Sequence, residues 1–367
     1  MKSAIGVGLT IVFGGCTLAL GVTQLNGKAT GVNVAEQLAP SRIVQYMRDR
    51  FELPDTVKVD AEPIRPSEYP RFYQTVVSVD DGKQKRASTV YISSDARCFV
   101  GGAIFVLHGA TNAEVVRCVR DATKLPASTE ITVGTFADSV FPDILKAPLT
   151  VRSGSKAQAG ELFVTRDRQL GILGVVLPYR RDFVEHLIDT RNQPSVGPAD
   201  ARVTIVEYAD LECPGCAAFH KFLETEFLPK YGNQVRIVFK EYPLTFHTWS
   251  TVGAVANQCA YQADPAKYLN YRSLIFGAQD SINAENVRDR LLSLGDKDGL
   301  DKVTLAACLD AKASLPRIEA SVREAQTLGV NKTPTIFVNG RIIIGVPAAA
   351  DFYKIVDEAM AASDKSH

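Results

Sequence analysis

Residues 203–227 read VTIVEYADLECPGCAAFHKFLETEF. Val203–Tyr208 is a short run rich in β-branched side chains, the composition of a buried central strand. Ala209–Glu212 forms a loop, Cys213-Pro214-Gly215-Cys216 follows, and apolar residues then recur at helical spacing. A strand that delivers a C-x-x-C pair to the start of a helix is the arrangement dithiol chemistry needs. Unpaired N–H groups and the positive end of the helix dipole stabilise Cys213 as a thiolate, and only a thiolate attacks a disulfide sulfur. Pro214 suits the first helical turn because it has no N–H to leave unpaired. Cys216, about one turn further in, can attack the mixed disulfide and release the substrate. Cys213 is expected to be the nucleophile and Cys216 the resolving thiol. The Pro-Gly dipeptide adds no charge, so composition indicates no extreme oxidising power.

The competing reading of C-x-x-C is zinc, which wants a second close pair of Cys or His ligands. The histidines (His108, His186, His220, His247 and His367) supply none. No metal is expected, and no cofactor beyond the redox-active Cys213–Cys216 disulfide. A second element lies far along the chain, where residues 332–345 read KTPTIFVNGRIIIG. This is a strand opened by Pro334, an Asn339-Gly340 hairpin turn and a second strand.

The two motifs together closely resemble the thioredoxin superfamily, in which such a proline is cis and faces the C-x-x-C. The resemblance implies a substrate-binding surface made by Thr333, Pro334, Pro214 and Gly215, the backbone at Thr333 pairing with an extended client strand. Residues 195–367 look most like the DsbA group, because about 246–328 reads as a helical insertion between the second strand and the proline strand. Cys259 and Cys308 both fall inside it, and a structural disulfide there resembles some members. Glu207 stands where the family has a buried acid that aids proton transfer, and Lys240, in VRIVFKEY, matches that acid's basic partner. The plainer readings are an exposed strand carboxylate and a solvated lysine.

Upstream lies a repeat. Residues 43–107 align without a gap onto 115–179 at a constant offset of 72. Identities include Arg48/Arg120, Asp49/Asp121, Pro54/Pro126, Gly82/Gly154, Asp95/Asp167 and Gly102/Gly174. Each unit reads as one helix followed by a curled antiparallel sheet, with Tyr73–Val79, Val90–Ile92 and Phe99–Leu107 as the first unit's strands. VYISSDARCFVGG and LFVTRDRQLGILG resemble, more weakly, the cystatin-like dimerisation domain of DsbC-type disulfide isomerases. Thr333 before the proline also matches that branch. The family has one such unit, so two in tandem leave open whether the copies satisfy each other or build a larger assembly such as a homodimer. The expected fold is α/β thioredoxin-like with a helical insertion, preceded by two small α+β units at 34–107 and 108–190. Asn192–Asp200, with two prolines and a glycine, reads as a linker.

Lys+Arg and Asp+Glu are both 41, so no net field gathers nucleic acid or anionic lipid. Residues 1–28 hold the uncharged run Ala4–Val22, long enough for a membrane anchor. A cleaved signal peptide and lipid attachment at Cys16 compete with that reading, and all three export the chain to a periplasmic or other extracytoplasmic space. Cys16 aside, six cysteines remain. Beyond Cys213 and Cys216, domain membership favours Cys98–Cys118 and Cys259–Cys308 as structural disulfides, with buried free thiols as the alternative. The reading is an enzyme: an extracytoplasmic thiol–disulfide oxidoreductase, foremost a disulfide isomerase or reductase acting on exported proteins with cysteines and reset by a membrane redox partner. The alternatives are a DsbA-like dithiol oxidase, and a chaperone or assembly factor with a secondary redox site.

Overall fold

The computed structural model describes residues 34–109 and 111–364. The apolar run Ala4–Val22, with the anchor, signal and lipid readings that rest on it, lies outside them. Among the described residues no helix is long and apolar enough to cross a membrane.

The offset of 72 survives folding element by element. Helix Pro40–Phe51 has its counterpart in Asn112–Thr123, and strands Lys58–Ala61, Phe72–Asp80, Lys85–Ser93 and Cys98–Val106 have theirs in Glu130–Val133, Ile144–Ser153, Lys156–Thr165 and Leu170–Pro178. The short strands Lys58–Ala61 and Glu130–Val133 escaped sequence reading because four residues carry too little periodicity. The repeated side chains do the same work twice. Arg48 bonds the carbonyls of Pro54 and Val57, and Arg120 those of Pro126 and Thr129. Asp95 accepts from Ser93, and Asp167 from Thr165, each at 2.6 Å.

The two units share one sheet of ten strands. It is continuous because Cys98–Val106 of the first pairs antiparallel with Leu170–Pro178 of the second, in a register that sets Gly102 opposite Gly174. A Cβ on Gly102 would lie 2.1 Å from the Leu173 carbonyl oxygen, so the repeated glycine marks where two backbones meet. The copies therefore satisfy each other within one chain.

That arrangement corrects the Cys98–Cys118 pairing, since both thiols are free and buried. Cys98 opens the joining strand and packs with Phe141, Ile144 and Phe183. Cys118 sits on the second unit's helix and packs with Val115, Ile131 and Leu162. The two face different cores, and each is held there as a small apolar side chain.

The C-terminal domain is built on a five-stranded sheet in the order Ser195–Val196, Val235–Glu241, Val203–Ala209, Thr335–Val338, Arg341–Ile344. The expected linker thus contributes an edge strand, Ser195 opposite Val238. Val203–Ala209 is central, parallel to Val235–Glu241 and antiparallel to Thr335–Val338. It is buried on both faces, so even Glu207 within it is removed from solvent. Val203 and Ile205 face Phe219, Phe227 and Phe352. Val206 and Tyr208 face Leu328 and Phe337 on the other side. Each such buried side chain contributes about 1.5–3 kcal/mol. The insertion holds five helices, Ser250–Ala263, Tyr268–Gly277, Val287–Lys297, Lys302–Asp310 and Leu315–Thr327. Cys259 and Cys308 form a disulfide that ties the first of these to the fourth.

Candidate active site

Cys213 is the N-cap of helix Pro214–Phe222, with Pro214 in the first turn and Cys216 inside. The hairpin at Asn339-Gly340 places Pro334 beside it: the Thr333–Pro334 peptide is cis, and Cys213 Sγ lies 3.4 Å from the Thr333 carbonyl oxygen. Gly215 completes the cluster. A Cβ there would lie 3.3 Å from Pro334 Cδ and 3.7 Å from Cys213 Sγ, so the close approach of loop and helix uses its small size. Cys213, Pro214, Gly215, Thr333 and Pro334, singled out from 120 residues apart, thus meet at one surface.

The two thiols are driven apart. Hydrogen bonding from the Cys216 thiol and from the backbone N–H groups of Cys216 and Gly215 lowers Cys213 to about 5, against the opposing effect of partial burial. Burial pushes Cys216 well above its ordinary value, helped by its bond to Cys213 and by the charge of Glu207. The Asp210 N–H donates to Cys216 Sγ at 3.4 Å. At neutral pH one sulfur is a half-buried thiolate and the other a buried thiol.

Glu207 lies behind the pair, fully buried. Its carboxyl is raised by burial and lowered by a guanidinium, and the partner is Arg272, whose Nη2 donates to Glu207 Oε2 at 3.0 Å. This corrects the expectation for Lys240. Strand register sets Glu207 opposite Phe239 and Tyr208 opposite Lys240, so alternation sends Lys240 to the other face of the sheet. There it pairs with Glu324 at 2.5 Å and donates to the Asp189 carbonyl at 2.8 Å. Arg272 comes from the helical insertion, also bonds the Tyr268 hydroxyl, and shares its charge with Glu241, whose carboxyl burial raises to about 7. Glu207 Oε1 has no hydrogen-bond partner among the described residues, which leaves it open to a proton.

Sequence reading also missed the loop's supports. Asp210 accepts from His247 Nδ1 at 2.8 Å and from the Leu244 N–H at 2.7 Å. Gln279 donates to the carbonyls of Leu211 and Cys213. Glu212 accepts from the N–H groups of Trp249 and Ser250 and so caps the first insertion helix. An acidic residue just before C-x-x-C was the one visible sign of that cap. Among the described residues no group of three or more His, Cys, Asp or Glu is placed to hold a metal.

Residues 189–358 match the family model described as Thioredoxin. Disulfide bond formation protein D of Bacillus subtilis is 27% identical over 156 residues, which cover 42% of this chain and 70% of that protein. The Na(+)/H(+) antiporter NhaA of Herminiimonas arsenicoxydans is 30% identical over 149 residues, 41% of this chain but 22% of the antiporter, so the chain spans about a fifth of that relative's length. Among solved structures, oxidised BdbD from Bacillus subtilis is 24% identical, with 47% of this chain and 95% of that one covered at a TM-score of 0.44. Wolbachia pipientis alpha-DsbA1 is 22% identical, with 50% and 98% covered at 0.45.

Proposed function

We propose that this chain is a thiol–disulfide oxidoreductase of exported proteins that isomerises wrongly paired disulfides through Cys213. The observation that carries the reading is the meeting of Cys213 Sγ with the Thr333 carbonyl beside cis Pro334. It places a thiolate next to a backbone edge on which an extended client can pair. In the first step the Cys213 thiolate attacks one sulfur of a client disulfide. That bond breaks, a Cys213–client bond forms, and the other client sulfur leaves as a thiolate. A different client thiolate then attacks the client sulfur held by Cys213, closing a new disulfide and expelling the Cys213 thiolate. No net electrons move.

The separation of the two thiols supports this sequence over net reduction. A thiol lowered to about 5 is a good leaving group, so client thiolates displace it readily. Cys216, held as a buried thiol, competes slowly, and reduction depends on it. A second reading, a dithiol oxidase, is favoured by the same lowered thiol, because a stabilised Cys213 thiolate favours the reduced protein and makes its disulfide an oxidant. The oxidase direction needs a membrane redox partner to reoxidise the pair after each turnover, whereas isomerisation regenerates the Cys213 thiolate and needs one only to keep the pair reduced. The Cys259–Cys308 disulfide supports an oxidising, extracytoplasmic location. Phe246 and Val346 are exposed, Val346 next to Gly215, and offer apolar contacts to an unfolded client.

The test is reactivation of a scrambled-disulfide protein by the soluble chain after residue 28, run beside oxidation of a reduced peptide, with Cys213→Ser as control. Unscrambling that needs Cys213 supports the isomerase. Peptide oxidation without unscrambling replaces it with the oxidase, and client holding that survives Cys213→Ser without either activity replaces both with a chaperone.

A further inference from the structure

The first repeat unit holds the loop that carries the cis proline. Arg50, in the last turn of helix Pro40–Phe51, is 7% exposed. Its Nη2 donates to the Leu328 carbonyl at 2.7 Å, and its Nη1 lies 3.5 Å from the Gly329 carbonyl oxygen. Gly329 has φ +75°, and a Cβ there would lie 2.5 Å from Leu177 Cδ2 and 3.0 Å from Arg50 Nη1. Both repeat units therefore press on this glycine. Three residues on, Lys332 pairs with Glu52 at 2.5 Å. Asp49 clamps Arg341 on the edge strand behind the loop, at 2.9 and 3.1 Å. Between these anchors stand Thr333, whose carbonyl meets Cys213, and Pro334.

The repeat supplies an independent observation. Arg48 and Asp49 recur as Arg120 and Asp121, but Arg50 and Glu52 are replaced by Ala122 and Lys124. The copies differ at the two side chains that reach the loop from the first unit. Ala122 has nothing to give to a carbonyl, and a lysine at the place of Glu52 would repel Lys332.

We infer that Arg50 and Glu52 are positioning residues for disulfide exchange: the first unit fixes the Leu328–Pro334 loop at the distance from Cys213 that an extended, cysteine-containing polypeptide strand requires. This rests on the proposed oxidoreductase reading. The backbone edge at Thr333 is useful to a client only if it is held still, because a client strand that must first order the loop spends binding free energy on it. A small disulfide, which pairs with no strand, is indifferent to that order.

The experiment compares two substrates in the full chain: an extended peptide containing one disulfide, and a small aromatic disulfide. Arg50 is buried and donates a charged hydrogen bond, so Arg50→Ala is expected to raise KM for the peptide about tenfold. Glu52 and Lys332 are both exposed, so Glu52→Lys is expected to raise it only about threefold. Adding Lys332→Glu to Glu52→Lys is expected to restore the peptide KM by reversing the pair. The rate with the small disulfide should stay within about twofold of wild type throughout, on the order of measurement scatter. Unchanged peptide KM in all variants overturns the inference, and so does a charge-swapped pair that fails to recover. Equal losses with both substrates also overturn it, since they signal general damage. If the wild type exchanges with neither substrate, the oxidoreductase reading itself has failed, a result distinct from all of these.

Discussion

Arg272 Nη2 donates to Glu207 Oε2 at 3.0 Å, and both side chains are wholly removed from solvent. A guanidinium is charged at any working pH, so it draws the buried carboxyl toward the ionised form against the pull of desolvation. Arg272→Met strands Glu207 and Glu241 without a counter-charge and should cost about 3–5 kcal/mol in urea unfolding. Glu207, already raised by burial, then rises further and holds its proton to higher pH than in the wild type. Release of a client from its Cys213 mixed disulfide by Cys216 should slow near pH 7 and recover at higher pH. A pH–rate profile identical to wild type would remove Glu207 from the proton path.

Lys240 gives the contrasting prediction. It is as buried as Arg272, but it faces Tyr208 and Glu324 across the sheet from the thiols. Lys240→Met should cost about 3 kcal/mol, because Glu324 loses its counter-charge and keeps only its bonds from the Tyr208 hydroxyl and the Asp189 N–H. It should leave the pH dependence of client release where it was. Movement of that profile by Lys240→Met, with none by Arg272→Met, would reverse the assignment made from the strand register.

Much of this site was legible in the sequence, for a physical reason: its chemistry rests on short local patterns. C-x-x-C at a strand–helix junction names Cys213 and Cys216, and Thr333-Pro334 before a hairpin names the opposing loop. The tandem units were legible because they repeat at constant offset, but where they join, at Gly102 and Gly174, follows only from the strand pairing. Arg272 was not. It lies 65 residues from Glu207, in a helix whose other polar positions look solvent-facing, and only tertiary packing turns it inward. Lys240 was misassigned because the face a strand residue takes depends on register, and register follows from pairing rather than composition. The Cys98–Cys118 pairing failed because membership of neighbouring units says nothing about which core a thiol enters.

The Cys213 thiol, lowered to about 5, predicts a pH dependence with a definite sign. Its unfolded value is about 8.5. A depressed folded value means the reduced protein gains stability that is fully present above pH 8.5 or so and is lost as pH falls through about 5. The oxidised protein has no such group. Stability of the reduced form relative to the oxidised form should therefore grow between pH 4 and pH 8, roughly the span of those two values. Thiolate absorbance should titrate with a midpoint near 5 and vanish in Cys213→Ser. A midpoint near 8.5 in the wild type, about the free-thiol value, would take away the leaving-group argument for isomerisation.

The joint between the two repeat units can be tested with a pair of glycines. Gly102 faces Gly174 across the shared ladder, and a Cβ on it would sit 2.1 Å from the Leu173 carbonyl oxygen. That atom is backbone, locked in the same sheet, and cannot swing aside. Gly102→Ala must therefore push two paired strands apart, at a cost of about 2–3 kcal/mol, the upper part of the usual overpacking range. Gly82 provides the comparison. It has φ +80° at a hairpin tip with nothing within 4 Å, so Gly82→Ala meets conformational strain alone, about 1 kcal/mol. Chemical unfolding of the two variants should rank Gly102→Ala as the more destabilised. Hydrogen exchange should show the loss centred on Cys98–Val106 and Leu170–Pro178, with the Cys213 midpoint unmoved. If Gly82→Ala proved equally damaging, or if exchange loosened only one of those strands, the units would not be joined through a common sheet.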